Sequence, residues 1–219
     1  MARLQVSPEI VLRCGALEAR LSPSAGGRVT ALRTMAAPAG PGTDWLVPLG
    51  DDVRSGGFES TAWPKAGCYP LVPFSNRIRA GRFAWNGRRV QLPLHPGEVH
   101  ALHGAGHRVP WSIAAHDERS ATMALHHAAD AQGWPWAFAV TQQVTLDAQG
   151  LMLEMQVRNE GDEAMPCGTG FHPFIPSRFA HRIQFEASQV WPPDGEYLPS
   201  RPQSLQGADD HSTPRAMAS

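Results

Sequence analysis

Along most of this chain, apolar and polar residues alternate with a period of two. In residues 16–21, Leu17, Ala19 and Leu21 share one face while Glu18 and Arg20 share the other, the pattern of a strand with one wet side. Residues 22–27, with Pro23, Gly26 and Gly27, break the alternation, and 28–33 resumes an extended pattern. The Pro- and Gly-rich stretch 36–42 is predicted as a loop. The cleanest hairpin is 82–92, where Asn86-Gly87 tolerates the positive φ angles of a tight turn between twisted strands. Further strands are predicted at 111–116, 121–127, 137–146, 151–158 and 182–190, with Asp147-Ala148-Gln149-Gly150 as the turn before Leu151. No amphipathic helix of normal length is visible. Hairpins at regular spacing without helices predict an all-β fold, an antiparallel sandwich or barrel. Residues 1–199 are expected to form one domain. Residues 200–219 are polar, lack strand periodicity and are expected to be a loosely ordered tail.

Composition narrows this further. The chain has 219 residues, enough for a substantial core. Its 20 prolines and 21 glycines sit beside an ordinary apolar share of 42%, which fits a turn-rich folded protein better than disorder. A net charge of −1 excludes the basic excess of a nucleic-acid binder, and Arg77, Arg79, Arg82, Arg88 and Arg89 read as a solvated face around the hairpin. Cys14, Cys68 and Cys167 are widely spaced, so no disulfide framework is expected. The N-terminal residues lack an apolar signal-peptide core, and no apolar run is long enough to span a bilayer. A cytoplasmic protein without a membrane partner is the expectation.

Three clusters could carry chemistry. Asn76 and Arg77 follow Tyr69-Pro70-Leu71-Val72-Pro73-Phe74, whose two prolines predict an irregular or edge-like backbone. An arginine there can present a fixed fork of donors to ligand hydroxyls, and Asn76 adds a donor and an acceptor. His103 lies among histidines and glycines in His100-Ala101-Leu102-His103-Gly104-Ala105-Gly106-His107, with Trp111 close behind. His172 sits in Gly168-Thr169-Gly170-Phe171-His172-Pro173-Phe174, where Gly168, Gly170 and Pro173 predict a sharp bend and Phe171 and Phe174 supply apolar walls. Two imidazoles, a guanidinium and an amide among aromatic rings suit a polar ligand that gains or loses protons near neutral pH, such as a sugar. Trp111 is the tryptophan expected to face the ligand, since indole faces stack on the C–H faces of sugars.

Taken in order, Pro73-Phe74-Ser75-Asn76-Arg77-Ile78-Arg79-Ala80-Gly81-Arg82-Phe83, then Leu102-His103-Gly104 with Trp111, then Gly170-Phe171-His172-Pro173-Phe174 resemble the aldose 1-epimerase (mutarotase) family. The resemblance extends from about the first strand to Pro199. It implies a large antiparallel β-sandwich of the galactose-mutarotase type, acting on the anomeric carbon of aldoses without cofactor or metal. It also implies roles. His172 would be the acid that protonates the ring oxygen, and His103 would hydrogen-bond near the same oxygen. Asn76 and Arg77 would hold the sugar hydroxyls, with Trp111 and Phe174 also against the substrate. The family places a glutamate base late in the chain and a sugar-binding aspartate before it, and neither is matched here. Glu186, Asp194, Glu196 and Asp209 lie in the last part but outside the expected context. The sandwich is accordingly expected to be incomplete at the C-terminus, with uncovered sheet edges open to self-association.

Two rival readings accompany this one. The first is a sugar-binding or regulatory module that keeps the pocket but has lost the base and with it turnover. The second is a metal-dependent β-barrel enzyme using the spacing His100-x2-His103-x3-His107. That segment is loop-like, so its spacing fixes no common face, and no cysteine or carboxylate within it completes a ligand set. No metal is expected.

Overall fold

Alternation becomes strand along most of the chain, although the polar side of residues 17–22 is not wet as expected, since Glu18 is buried. In the computed structural model, which describes residues 2–36, 40–176 and 182–216, the predicted strands appear at Leu17–Ser22 (β3), Arg28–Thr34 (β4), Ser112–His116 (β12), Ser120–His127 (β13), Phe138–Leu146 (β14) and Leu151–Asn159 (β15). The hairpin is Arg82–Trp85 (β9) against Arg88–Gln91 (β10), with Asn86 at φ 46° and Gly87 at φ 76° in its turn. Part of the predicted loop 36–42 lies outside the described residues.

The chain forms two compact units, Met1–Ile175 and Pro176–Ser219. The first is built on two antiparallel sheets. One runs in the order Gly170–Pro173 (β16), Cys68–Leu71 (β7), β4, β3 and Ile10–Cys14 (β2), with Thr43–Asp44 (β5) added to β4. The other is the meander β12-β13-β14-β15. Leu12, Leu21 and Val29 of the first sheet share one buried cluster with Met123, Phe138, Val140, Val144 and Leu146 of the second. Two inner faces closing on one core make an all-β sandwich. Each of these side chains contributes about 1.5–3 kcal/mol by leaving water. Among the described residues the outer strands of the two sheets are β16, β2, β12 and β15.

A second, smaller core holds Leu4, Val6, Ala25, Leu49, Phe58 and Ala66. It anchors Arg3–Leu4 (β1), which pairs with Phe58–Glu59 (β6), and the long connection from β5 to β7, which carries the short helix Asp51–Gly56 (α1) and Trp63. Arg77–Ile78 (β8) and Ala101–Leu102 (β11) form a further two-residue ladder.

Two segments of the first unit differ from expectation. Residues 68–71 form a fully buried strand, not an irregular edge. Pro70 is tolerated because β4 pairs with β7 only at Val29↔Cys68, so no donor to β4 is demanded of it. Residues 170–173 are likewise a strand and not a bend, paired along β7 with His172 opposite Tyr69.

In the second unit, Arg182–Ile183 (β17) pairs with Arg215–Ala216 (β20), and Gln189–Val190 (β18) pairs with Gln203–Ser204 (β19). The strand predicted over 182–190 is thus two short ladders separated by a run without a strand partner. Among the described residues no helix is long and apolar enough to cross a membrane, and the three cysteines are free.

Candidate active site

The β7–β16 ladder sets the first half of the site. His172 lies directly across from Tyr69, and their rings stack with centroids 4.9 Å apart and planes 16° from parallel. Phe174 follows and stacks on His172 at 4.8 Å, its backbone pinned between the Gly67 carbonyl and the Val47 amide, each at 2.8 Å. A cluster of three rings results, since Tyr69 and Phe174 also lie 6.1 Å apart.

The second half comes from the segment after β11. Leu102 pairs with Arg77 across the two-residue ladder, and the His103 amide donates to the Asn76 carbonyl at 2.9 Å. Gly104 then runs against the end of β7. The Val72 carbonyl accepts from the amides of Ala105 and Gly106, each at 3.0 Å, and a Cβ on Gly104 would lie 2.3 Å from that oxygen. With φ at +66° as well, only glycine fits there. The close approach that the glycines permit is therefore backbone to backbone. Its effect is to bring the His103 ring to 5.4 Å from His172, edge-on at 72°.

His103, His172, Phe174 and Arg77 are thus gathered around one place, with Asn76 exposed at its rim. Arg77 is mostly buried and its Nη2 lies 3.4 Å from Glu98 Oε1. Trp111 is placed elsewhere. It is 5% exposed, packs into the main core over Gly27, and spends its indole N–H on the Gly106 carbonyl at 2.8 Å. At that exposure it offers a ligand no ring face, and it serves instead to prop the segment that carries His103.

Further side chains surround the pair, and His100 and His107 among them entered the sequence reading only as candidate metal ligands. Trp63 sits edge-on to His107 at 4.6 Å, near His95 at 5.0 Å and His103 at 6.1 Å. His107 is fully buried and also stacks on Tyr69 at 4.9 Å. Arg108 donates to the Leu102 carbonyl at 2.8 Å, lies 3.2 Å from His95 Nδ1, and stands 5.5 Å over Trp63. His100 points its Nδ1 at the Ala80 amide, 3.1 Å away. Among the described residues no group of three or more His, Cys, Asp or Glu is arranged to hold a metal ion. A cavity of about 210 Å³ lies behind the His103 segment, lined by Phe74, Leu102, Ala105, Arg108 and Trp134, but neither His103 nor His172 lines it.

Burial governs the electrostatics. It lowers His103 to about 4, with the charges of His172, Arg77, Arg108 and His95 acting the same way. His172 is also lowered, first by burial and then by the charge of Arg28, against the opposing pull of its own backbone carbonyl. Burial pushes the Tyr69 phenol and the Cys68 thiol up to about 12 each. At neutral pH the free protein therefore presents two uncharged imidazoles, each able to donate one hydrogen bond and accept another. Among the described residues, Nδ1 of both is buried without a hydrogen-bond partner.

The sequence pattern of the family described as Aldose 1-epimerase matches residues 43–215. The chain is 36% identical over 155 residues to the uncharacterized protein YphB of Escherichia coli (strain K12), a match covering 68% of this chain and 52% of that one. A crystal structure from Escherichia coli K12 superposes with a TM-score of 0.78 at 29% identity, over 96% of this chain and 66% of the other. A galactose mutarotase-like protein from Clostridium acetobutylicum superposes with a TM-score of 0.75 at 20% identity, over 92% and 62%. The chain thus spans about half the length of the curated relatives it matches.

Proposed function

Because the chain belongs to the aldose 1-epimerase family, we propose that it binds a cyclic aldose at the His103–His172 pair and interconverts the α and β anomers by general acid and base catalysis. The observation that carries this reading is the pair itself: two uncharged imidazoles 5.4 Å apart, backed by the rings of Tyr69 and Phe174, with Arg77 beside them.

Ring opening moves two protons. A base takes the proton of the anomeric hydroxyl, its electron pair forms the carbonyl, and the bond from the anomeric carbon to the ring oxygen breaks. That oxygen receives a proton from the acid. Rotation of the aldehyde and closure from its other face give the other anomer. In this reading His172 donates to the ring oxygen and His103 hydrogen-bonds near it. Arg77 and Asn76 hold hydroxyls, and Phe174 packs on the C–H face of the sugar. A lowered pKa makes protonated His172 a stronger acid but a scarcer one. Turnover per enzyme should accordingly rise as pH falls from neutral toward the His172 midpoint, for as long as the base stays unprotonated.

A second reading has its own support. Both imidazoles are uncharged at neutral pH, and the carboxylate at Arg77, Glu98, is engaged in an ion pair. A sugar-binding module without turnover would look the same. Polarimetry separates the two. Decay of the optical rotation of freshly dissolved α-glucose and α-galactose should be faster with the protein, and His172→Ala should lose at least about 100-fold of that acceleration. Sugar binding by calorimetry without acceleration would favour the module, and neither binding nor acceleration would sink both readings.

A further inference from the structure

Arg28, at the start of β4, is fully buried and has no carboxylate within ion-pairing distance among the described residues. Its Nη1 donates to the Ala66 carbonyl at 2.7 Å and reaches the Pro64 carbonyl at 3.5 Å, while Nε and Nη2 are buried without a partner among the described residues. The guanidinium stands 4.5 Å from the Tyr69 ring centroid and 5.4 Å from that of Phe58. A buried cation with so few partners is costly, and packing alone would be served as well by an apolar side chain of similar length. What distinguishes this position is its neighbour, because Tyr69 is the residue on which His172 lies flat.

We propose that Arg28 is a positioning residue for His172, acting through the ring of Tyr69 to fix the orientation of that imidazole and set its charge. The planar cation holds the aromatic face by cation–π attraction, and that face holds the imidazole. Among the described residues, the titratable or charged groups facing His172 are Tyr69 and Cys68 on β7, His103 on the segment after β11, and Arg28 on β4. Tyr69 and Cys68 are uncharged below pH 10, and His103 is uncharged above about 4. Between those limits Arg28 is, among the described residues, a charged group that acts on His172, with Arg77 on the far side of the pair, and its sign opposes the imidazolium. Removing that charge therefore raises the midpoint of His172.

This gives the acid of the proposed ring opening its geometry and so rests on that reading, but its readout does not need turnover. The titration of His172 is followed by NMR of the imidazole Cε1–H, assigned with His172→Gln, in the wild type, Arg28→Met and Arg28→Lys. The midpoint should move up in Arg28→Met and stay near the wild-type value in Arg28→Lys. If sugars are turned over, kcat of Arg28→Met should fall roughly tenfold with KM little changed. An unmoved midpoint in folded Arg28→Met would overturn the proposal even in an active enzyme. A moved midpoint in a protein inert toward every sugar would uphold the positioning and sink the function. Should Arg28→Met fail to fold, Arg28→Gln, which keeps a donor for the Ala66 carbonyl, is judged by the same criteria.

Discussion

The two ends of the β3–β4 ladder bury charge in opposite ways. At one end Glu18, 1% exposed, receives hydrogen bonds from Arg13 of β2, Arg20 of β3 and Arg33 of β4 at 2.6–3.1 Å. Burial alone would raise its pKa, yet the hydrogen bonds from Arg20, Arg33 and Arg13 bring it down to about 2. At the other end, where Ser22 pairs with Arg28, the buried charge has two carbonyl partners and two unpartnered nitrogens. One end is compensated and ties three strands together. The other is left uncompensated directly beneath the imidazole pair. The difference locates where stability has been given up, and it is the end nearest the proposed site.

The largest expected effect breaks the compensated end. Glu18→Gln leaves three arginines facing one another and should destabilise the fold by about 3 kcal/mol, read from chemical denaturation, with little change in activity. A loss below about 1 kcal/mol would mean the cluster is ornamental. The pH dependence of stability should show Glu18 and the imidazole site as separate windows. The Glu18 contribution is present above its ordinary value of 4.5 and is lost as pH falls through about 2. The depressed His103 acts higher: the fold is favoured above 6.5 and progressively penalised as pH falls toward about 4. Unfolding free energy should therefore climb from pH 2 to 6.5, with Glu18→Gln flattening the acid part and His103→Gln reducing the upper slope, to which the lowered His107, His172 and His95 also contribute. A curve unchanged by both substitutions would contradict the assignment. The smallest effect sharpens the contrast. Arg28→Met should alter stability by no more than about 1 kcal/mol, because the lost cation–π and carbonyl contacts are offset by removing an unpaired cation. A loss of 3 kcal/mol or more would show that Arg28 is a structural strut like Glu18.

Legibility in the sequence tracked exposure. Strands β13, β14 and β15 and the Asn86-Gly87 hairpin could be read because solvent imposes alternation and the turn needs its residue types. Strand β7 could not, since a strand buried on both faces shows no alternation and Pro70 argues against one. The meeting of His103 with His172 was legible only from the order of the short motifs, since no local pattern fixes a loop against a distant strand. Trp111 was misplaced for a related reason: closeness in sequence to His103 says nothing about which way an indole points, and this one turns inward onto Gly27. Arg28 left no signal at all. An arginine after two glycines reads as surface, and its burial follows from the connection between β5 and β7, whose Pro64 and Ala66 carbonyls close over it.

The central claim is that the His103–His172 pair exchanges sugar anomers. Two-dimensional exchange NMR on equilibrated glucose and galactose tests it most directly, by watching magnetisation pass between the α and β anomeric protons. The wild-type protein should produce exchange cross-peaks within the relaxation time, and His172→Ala at the same concentration should not. Absence of cross-peaks with folded wild-type protein, or equal cross-peaks with His172→Ala, would contradict it.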